Sequence, residues 1–201
     1  MKNKVKFNLK NVHYAMIAVG EAGSITFGTP KHIPGACSFT MDAQGSEEKF
    51  MADGVLYYTS YTNEGYSGTL TMALIPDEFR KDVFGDVEDP TDHVLMEYAN
   101  PIANPFALLY EIDGDQKGTR RVMYNCSAGR IGENADGQAP RTPQTEAMQL
   151  TAAPLANGLT RARTMDNTTD TVFNNWFKNV WLPTTNASAE TVQGKSVAQE
   201  V

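Results

Sequence analysis

The sequence lacks the features that would place the protein in a membrane or on a secretory route. Its 201 residues contain no run of about 18 apolar residues, the length needed to cross a membrane as a helix. The first ten residues carry four lysines, but no apolar segment or small-residue cleavage site follows them. We therefore expect neither a secretory signal nor a membrane association.

Cysteine and histidine are scarce, with two and three copies. Cys37 and Cys126 each fall inside a strand-like run, which predicts buried, reduced side chains rather than a disulfide or a metal pair. His13, His32 and His93 are scattered and show no metal-binding spacing. The sequence also has no nucleophile elbow, glycine-rich phosphate loop or paired-cysteine motif.

Two acidic features remain as candidates for a catalytic or cation site. Asp113 and Asp115 lie in a predicted hairpin turn, where aspartate is favoured for local reasons. The run Asp86-Val-Glu-Asp89 lacks the spacing of an EF-hand. We therefore predict that the protein is not an enzyme and binds no cofactor or metal.

The charge is acidic and unevenly distributed. There are 24 acidic and 17 basic residues, a net charge of −7, which disfavours tight binding to nucleic acid. Residues 77–115 contain eleven acidic and two basic residues, whereas residues 117–163 contain seven basic and three acidic. Two interpretations stay open: an ordinary solvated surface, or faces of opposite charge through which copies stack head to tail.

Alternating apolar and polar residues predict strands along the first three-quarters of the chain. The predicted strands are residues 13–19, 36–41, 66–75, 94–98, 106–112, 119–128 and 145–152, with a further possible strand at 56–61. Many short strands separated by turn signals predict an antiparallel β-sandwich or barrel.

The same alternation predicts which side chains share a face. In residues 66–75 the apolar face would carry Tyr66, Leu70, Met72 and Leu74. In residues 119–128 one face would carry Val122, Tyr124, Cys126 and Ala128. In residues 36–41, Cys37 would share a face with Phe39 and Met41.

One helix is predicted at residues 76–84, flanking the sheet. Pro76 suits the first helical position, Asp77 and Glu78 fall in the positive first turn, and Gly85 can end the helix. Because Phe79 and Val83 lie four residues apart, they form a short apolar stripe that can pack on the sheet.

Two segments look irregular. Residues 42–64 are acidic and contain glycine, which predicts a long loop, and residues 184–201 are polar, which predicts a flexible tail. The chain is thus expected to form one β-domain over residues 1–183 followed by the tail. Trp176 and Trp181 are either core residues or anchors for a neighbouring subunit.

Short motifs recur in a fixed order between Tyr14 and Arg163. They are IPGA at 33–36, ADG at 52–54, GYSG at 65–68, ALIPDEF at 73–79, FALL at 106–109, RR at 120–121 and YNC at 124–126. In these motifs the chain resembles the major tail protein family of long-tailed, non-contractile bacteriophages and related prophages of Gram-positive bacteria.

The resemblance implies a subunit with a tail-tube β-sandwich fold, and six such subunits would form a ring. The rings would stack on a tape-measure protein, together with tail initiator and terminator proteins, and duplex DNA would pass through the lumen. Such a subunit assembles in the host cytoplasm and ends in the virion tail. The loop at 42–64 would reach into the next ring, with the self-assembly residues Ser46, Glu47, Glu48, Lys49, Phe50 and Met51.

Three alternatives remain beside the tail-tube interpretation. The chain could be another virion β-domain, such as a decoration or receptor-binding module, the tube protein of a contractile particle, or an enzyme without a known motif.

Overall fold

Nine strands join into one antiparallel sheet in the computed structural model of the protein, which describes residues 3–20, 25–99, 103–135, 137 and 143–183. The strands of this sheet are β1 (Lys6–Val19), β2 (Ile25–Phe27), β3 (Lys31–His32), β4 (Ala36–Gln44), β7 (Gly65–Met72), β10 (Phe106–Gly114), β11 (Thr119–Ala128), β12 (Glu146–Ala153) and β13 (Arg161–Arg163). Two small sheets pair β5 (Glu47–Ala52) with β6 (Val55–Tyr61) and β8 (Val87–Glu88) with β9 (Leu95–Met96). The predicted antiparallel, mainly β fold is confirmed. The predicted tail at 184–201 lies outside the described residues.

The main sheet curls towards a barrel. Its strand order is β2-β1-β10-β11-β12-β7-β4, with β3 beside β1 and β13 beside β11. Although four steps of this order separate β4 from β10, the rings of Phe39 on β4 and Tyr110 on β10 lie 4.6 Å apart. Contact between strands so far apart in the sheet requires strong curvature, which gives the barrel an inner and an outer face.

The inner face encloses the larger core. Fully buried side chains from most strands meet there, among them Tyr14, Leu70, Phe106, Leu108, Met123 and Met148. Helix α1 (Asp77–Phe79) and the π-helical turn Arg80–Phe84 pack on this core, and Gly85 ends them with a φ of 73°. The helix predicted at 76–84 is therefore confirmed at 77–84. None of the helices in the described part of the chain is long and apolar enough to span a membrane.

The outer face of β1, β10 and β11 is covered by the C-terminal part of the chain. A second core forms there from Leu109, Val122, Tyr124 and Trp176, beneath helix α2 (Asp170–Asn175), which the sequence analysis did not predict. Trp176 is 3% exposed and its Nε1 donates to the carbonyl oxygen of Arg121 at 3.3 Å. Of the two interpretations of the tryptophans, the core interpretation therefore holds for Trp176.

A β-bulge corrects the predicted face of β11. Val122 and Tyr124 belong to the outer core, whereas Cys126 and Ala128 belong to the inner core. The pairing with β10 shifts by one residue in this region. Because one extra residue in a strand reverses the alternation beyond it, the four side chains are split between the two faces.

A second irregularity corrects the prediction for Cys37. The pairing of β4 with β7 shifts between Ala36 and Ser38, so Ala36 packs on the inner core and the Cys37 side chain is exposed. Cys126 is buried as predicted, and burial raises the pKa of its thiol to about 12. Leu74 is 67% exposed, contrary to its predicted place on the apolar face, because β7 ends at Met72.

Candidate assembly surface

Residues 47–61 form a β-hairpin, which we call the arm. The long loop predicted at 42–64 is therefore wrong in its secondary structure: β4 continues to Gln44, and β5 and β6 pair from Glu47–Tyr61 to Ala52–Val55. Asp53 and Gly54 turn the chain with positive φ angles of 52° and 78°. These angles suit a two-residue hairpin turn, for which an Asp-Gly pair is a strong sequence signal.

The arm is a continuation of the barrel strands. Beyond the β4–β7 pairing, Glu64 N donates to Gln44 O at 2.9 Å and Thr62 N donates to Ser46 O at 3.0 Å. The Thr62 hydroxyl accepts from Ser46 N at 2.8 Å, and a Cβ atom at Gly45 would overlap the carbonyl oxygen of Thr62. Because β5 rises by about 3.3 Å per residue, the arm is about 20 Å long.

Large apolar side chains cover the arm and remain exposed to solvent. They are Phe50, Met51, Val55, Leu56, Tyr57, Tyr58 and Tyr61, with exposed fractions from 52% to 76%. Monomeric proteins rarely leave such a continuous apolar patch in water, and an isolated two-stranded ribbon is only marginally stable. The arm therefore has the properties of a surface that is buried against another molecule.

The aromatic residues of the arm are arranged around Phe50. Phe50 pairs across the ribbon with Tyr58, and its ring lies 6.4 Å from that of Tyr57 in an edge-to-face orientation. A shift of register between Phe50 and Met51 accommodates both tyrosines. Aromatic groups held in this way present a large contact area at a small cost in side-chain entropy.

The predicted assembly residues all lie on or next to the arm. Ser46 belongs to its base, Glu47 is paired with Lys49 at 2.9 Å, and Phe50 and Met51 are among the exposed apolar residues. The possible strand at 56–61 is confirmed as Val55–Tyr61, but the predicted assembly residues did not include it, although it carries five of the seven exposed apolar side chains. Three tyrosines in the run VLYYTSY were the signal for it.

Much of the negative charge of residues 77–115 is neutralised inside the subunit. Seven of its eleven acidic side chains form ion pairs with basic residues. The pairs join Glu78 and Asp82 to Lys31, Glu88 to Lys81, Asp86 and Glu97 to Arg130, and Glu111 and Asp113 to Lys10. The separation of charge along the sequence is therefore partly compensated in space, since seven carboxylates share five cations when Arg120 beside Glu111 is counted.

Two of the three histidines lie together, and the third lies elsewhere. His13 on β1 faces His32 on β3, with ring centroids 4.8 Å apart, and stacks on Phe177. Burial lowers the pKa of His13, and the nearby His32 adds to this effect. Nδ1 of His93 lies 2.9 Å from Glu88, in the small sheet β8–β9.

The two aspartates of the predicted hairpin turn have structural contacts. Asp113 forms an ion pair with Lys10 at 2.5 Å, and the carboxylate of Asp115 accepts from Lys4 N at 2.7 Å. The contacts of Asp115 lower the pKa of its carboxyl, chiefly through the Lys4 amide. Within the described ranges, no three His, Cys, Asp or Glu side chains are grouped so that they could hold a metal ion.

Comparison with known proteins adds a similarity to solved structures. No protein-family model and no curated protein sequence matches the chain. Among solved structures, the chain is similar to the tube-terminating cap of the anti-feeding prophage, determined by cryo-electron microscopy, with a TM-score of 0.42 and 6% sequence identity. The similarity covers 80% of this chain and 93% of the cap.

Proposed function

We propose that the protein is a structural subunit of a bacteriophage tail tube. Copies would assemble into stacked hexameric rings that form the conduit for genome ejection. The observation that carries this proposal is the arm, an apolar hairpin that projects from the curled sheet and finds no partner among the described residues of its own chain. The ordered motifs between Tyr14 and Arg163, with their resemblance to tail tube subunits, support the same function.

The arm suits assembly that propagates. The arms of two copies can pack on each other only if they meet symmetrically, which gives a closed dimer. If the arm binds a different surface of the next copy, every subunit offers one arm and one receiving surface, and growth continues. Burying four tyrosine and phenylalanine side chains of the arm would supply the aromatic anchors that dominate many interfaces.

The proposed partners follow from this function. They are further copies of the chain, a tape-measure protein, and the tail initiator and terminator proteins, with DNA passing through the lumen. The protein would act in the virion tail after assembly in the host cytoplasm. We assign it no catalytic residue, cofactor or metal.

Assembly is tested by raising the protein concentration. We expect the dilute protein to be a monomer and to form rings or hollow filaments at high concentration, or earlier when a tail initiator is present. Analytical ultracentrifugation measures the size, and negative-stain electron microscopy shows the shape. A species that remains monomeric at high concentration with the initiator added would contradict the proposal.

A conduit should not retain its cargo, so the subunit should not bind duplex DNA at physiological salt. The net charge is −7, and seven of the basic side chains are already paired with carboxylates of the same chain. Since affinity for DNA depends on cations that replace counterions, the net negative charge and this pairing both disfavour binding. Fluorescence anisotropy with a labelled duplex would show no binding up to about 100 µM subunit, a range that includes typical non-specific affinities. Saturable binding in the low micromolar range would overturn this prediction.

A further inference from the structure

Three arginines share one patch on the inner face of the barrel. Arg121 on β11 lies opposite Arg163 on β13, and Arg161 lies opposite Met123. Because residues two apart on a strand point to the same side, all three guanidinium groups lie on the side of Met123, an inner-core residue. Like charges placed opposite each other across a sheet are destabilising.

These arginines differ from the other arginines in the described part of the chain. Arg80, Arg120 and Arg130 each form an ion pair with a carboxylate, at distances of 2.7, 3.1 and 2.7 Å. No described carboxylate forms an ion pair with the cluster of Arg121, Arg161 and Arg163. Moreover, Nε of Arg121 is buried without a hydrogen-bond partner. Leaving a charged donor buried and unpaired is costly, so the cluster has the properties of a site for an anion.

The cluster lines a hollow that opens into a wider groove. The hollow has a volume of about 360 Å³ and is lined by Tyr110, Val122, Ala162 and the three arginines. The groove, of about 1000 Å³, shares Arg121 and Arg163. Its lining includes the apolar residues Val5, Ile112 and Met165, two lysines, and the carboxylates of Asp113 and Asp166. The site thus combines a cationic end with apolar walls.

One of the guanidinium groups lies over an aromatic ring, and a second lies beside a buried tyrosine in the sheet. Arg161 lies over the ring of Tyr66, 4.6 Å from its centroid. Tyr110 pairs with Arg121 across the β10–β11 ladder, and it is almost fully buried. Stacked guanidinium groups lose little freedom when they bind a carboxylate, so the hollow is prepared for a ligand of this class.

The tip of the arm has the complementary chemistry. Asp53 stands at the turn with an exposed carboxylate that forms no ion pair with any described residue. Its neighbours Met51 and Val55 are apolar and exposed at 58% and 60%. One carboxylate between apolar side chains matches a hollow in which arginines stand beside apolar walls.

We propose that this arginine hollow receives the Asp53 tip of the arm from a second copy of the chain. The inference rests on the proposed function, in which copies assemble through the arm, and it names the receiving surface. In this structure Asp53 and the cluster of the same chain are not in contact, so the carboxylate must come from another subunit. Each copy then has one tip and one hollow, which is the arrangement required for open-ended growth.

Variants that reverse the charge of the tip or of the hollow test the inference. Asp53→Lys alone and the double variant Arg121→Glu/Arg163→Glu alone should each raise the protein concentration needed for assembly by about 30-fold or more, because each brings like charges together at the contact. An equimolar mixture of the two variants should assemble like the wild type, since each tip then meets an opposite charge in the other variant. Asp92→Lys and Lys178→Glu are matched controls on exposed residues outside the arm and the hollow, and should assemble normally.

A cysteine cross-link provides a test that does not depend on the fold of the arginine variants. Met51→Cys and Met165→Cys are introduced together in a Cys37→Ser background, which keeps the Asp53 carboxylate. Cys37 is replaced because it is exposed, Met51 beside the tip is 58% exposed, and Met165 lines the groove with 63% of its surface exposed. Oxidation at an assembling concentration should produce a ladder of covalently linked copies. Either cysteine alone should give no linked multimer beyond a dimer.

The outcomes separate the inference from the proposed function. If the charge variants assemble like the wild type while a chain without the arm does not, the hollow is not the receptor but the arm remains the assembly element. If a chain without the arm assembles normally, the inference is wrong and assembly uses another surface, whereas the proposed function fails only if the wild type does not assemble. The inference is also overturned if the mixture of variants fails to assemble and no cross-linked ladder forms. If the wild type binds duplex DNA, contrary to the prediction above, and the arginine variants lose that binding with unchanged assembly, the cluster is a phosphate site instead.

Discussion

Replacing residues 47–61 with the dipeptide Asn-Gly should leave a folded monomer that forms neither rings nor filaments. The replacement is possible because Thr62 N donates to Ser46 O at 3.0 Å, the bond that closes a two-residue hairpin loop. Asn-Gly favours the positive φ angles of such a turn. Strands β4 and β7 keep their pairing, because no residue of either strand is removed.

The expected loss of assembly has a direct physical cause. The replacement removes seven exposed apolar side chains and none from the two buried cores. Since the arm adds little to the packing of the barrel, the thermal midpoint should change by only a few degrees, about the effect of 1 kcal/mol in a domain of this size. Circular dichroism measures the fold, and negative-stain imaging measures assembly.

An exposed apolar residue outside the arm serves as the control. Leu74 is 67% exposed and lies outside the arm, next to the end of β7. Leu74→Ser removes apolar surface without touching the hairpin, so this variant should assemble like the wild type. Tubes of normal appearance from the chain without the arm would show that assembly uses another surface.

Arg120→Met should destabilise the protein by about 2–3 kcal/mol, the loss of a charged hydrogen bond to a buried carboxylate, since Lys10 Nζ still lies 3.6 Å from Glu111 in the variant. Arg120 Nε donates to Glu111 at 3.1 Å, and Glu111 is only 6% exposed. The same guanidinium group lies 3.9 Å from the ring centroid of Phe173 and donates to its carbonyl oxygen. Arg120 therefore connects the sheet to helix α2 as well as neutralising a buried carboxylate.

The two contributions of Arg120 can be separated by a double-mutant cycle. Glu111→Gln removes the buried charge, so Arg120→Met should cost clearly less in that background than in the wild type. Arg120→Lys keeps a cation but loses the planar group that stacks on Phe173, and should fall between the wild type and Arg120→Met. Urea unfolding followed by circular dichroism gives the free energies. A loss of less than about 1 kcal/mol for Arg120→Met, the typical value for an exposed ion pair, would contradict this assignment.

Local signals were sufficient for the parts of the fold that depend on neighbouring residues. The helical segment at 77–84 was predicted because Pro76 and Gly85 mark its ends within the sequence itself. Strands β10 and β11 were predicted with nearly correct bounds because their alternation and the turn between them are continuous in the chain. Helix α2 was missed because its six residues carry no apolar stripe that could be distinguished from a loop, and its stability comes from packing on β11.

The faces of the strands were predicted less well than the strands themselves. Cys37 was expected inside and is exposed, and Val122 and Tyr124 were expected on the face that Cys126 occupies. In both strands a shift of pairing register reverses the alternation. A bulge is a property of two paired strands, so the sequence of one strand does not reveal it.

The sequence by itself determined the antiparallel β class, the helical segment and the order of most strands, because each depends on side chains that are close along the chain. Only the tertiary structure decided that residues 47–61 leave the barrel as an apolar arm. It also decided that Lys10 neutralises Glu111 and that Arg121 stands opposite Arg163. These pairs are separated by many residues in the chain, and curvature and register of the whole sheet bring them together. Their energies depend on distance and burial, which no local pattern encodes.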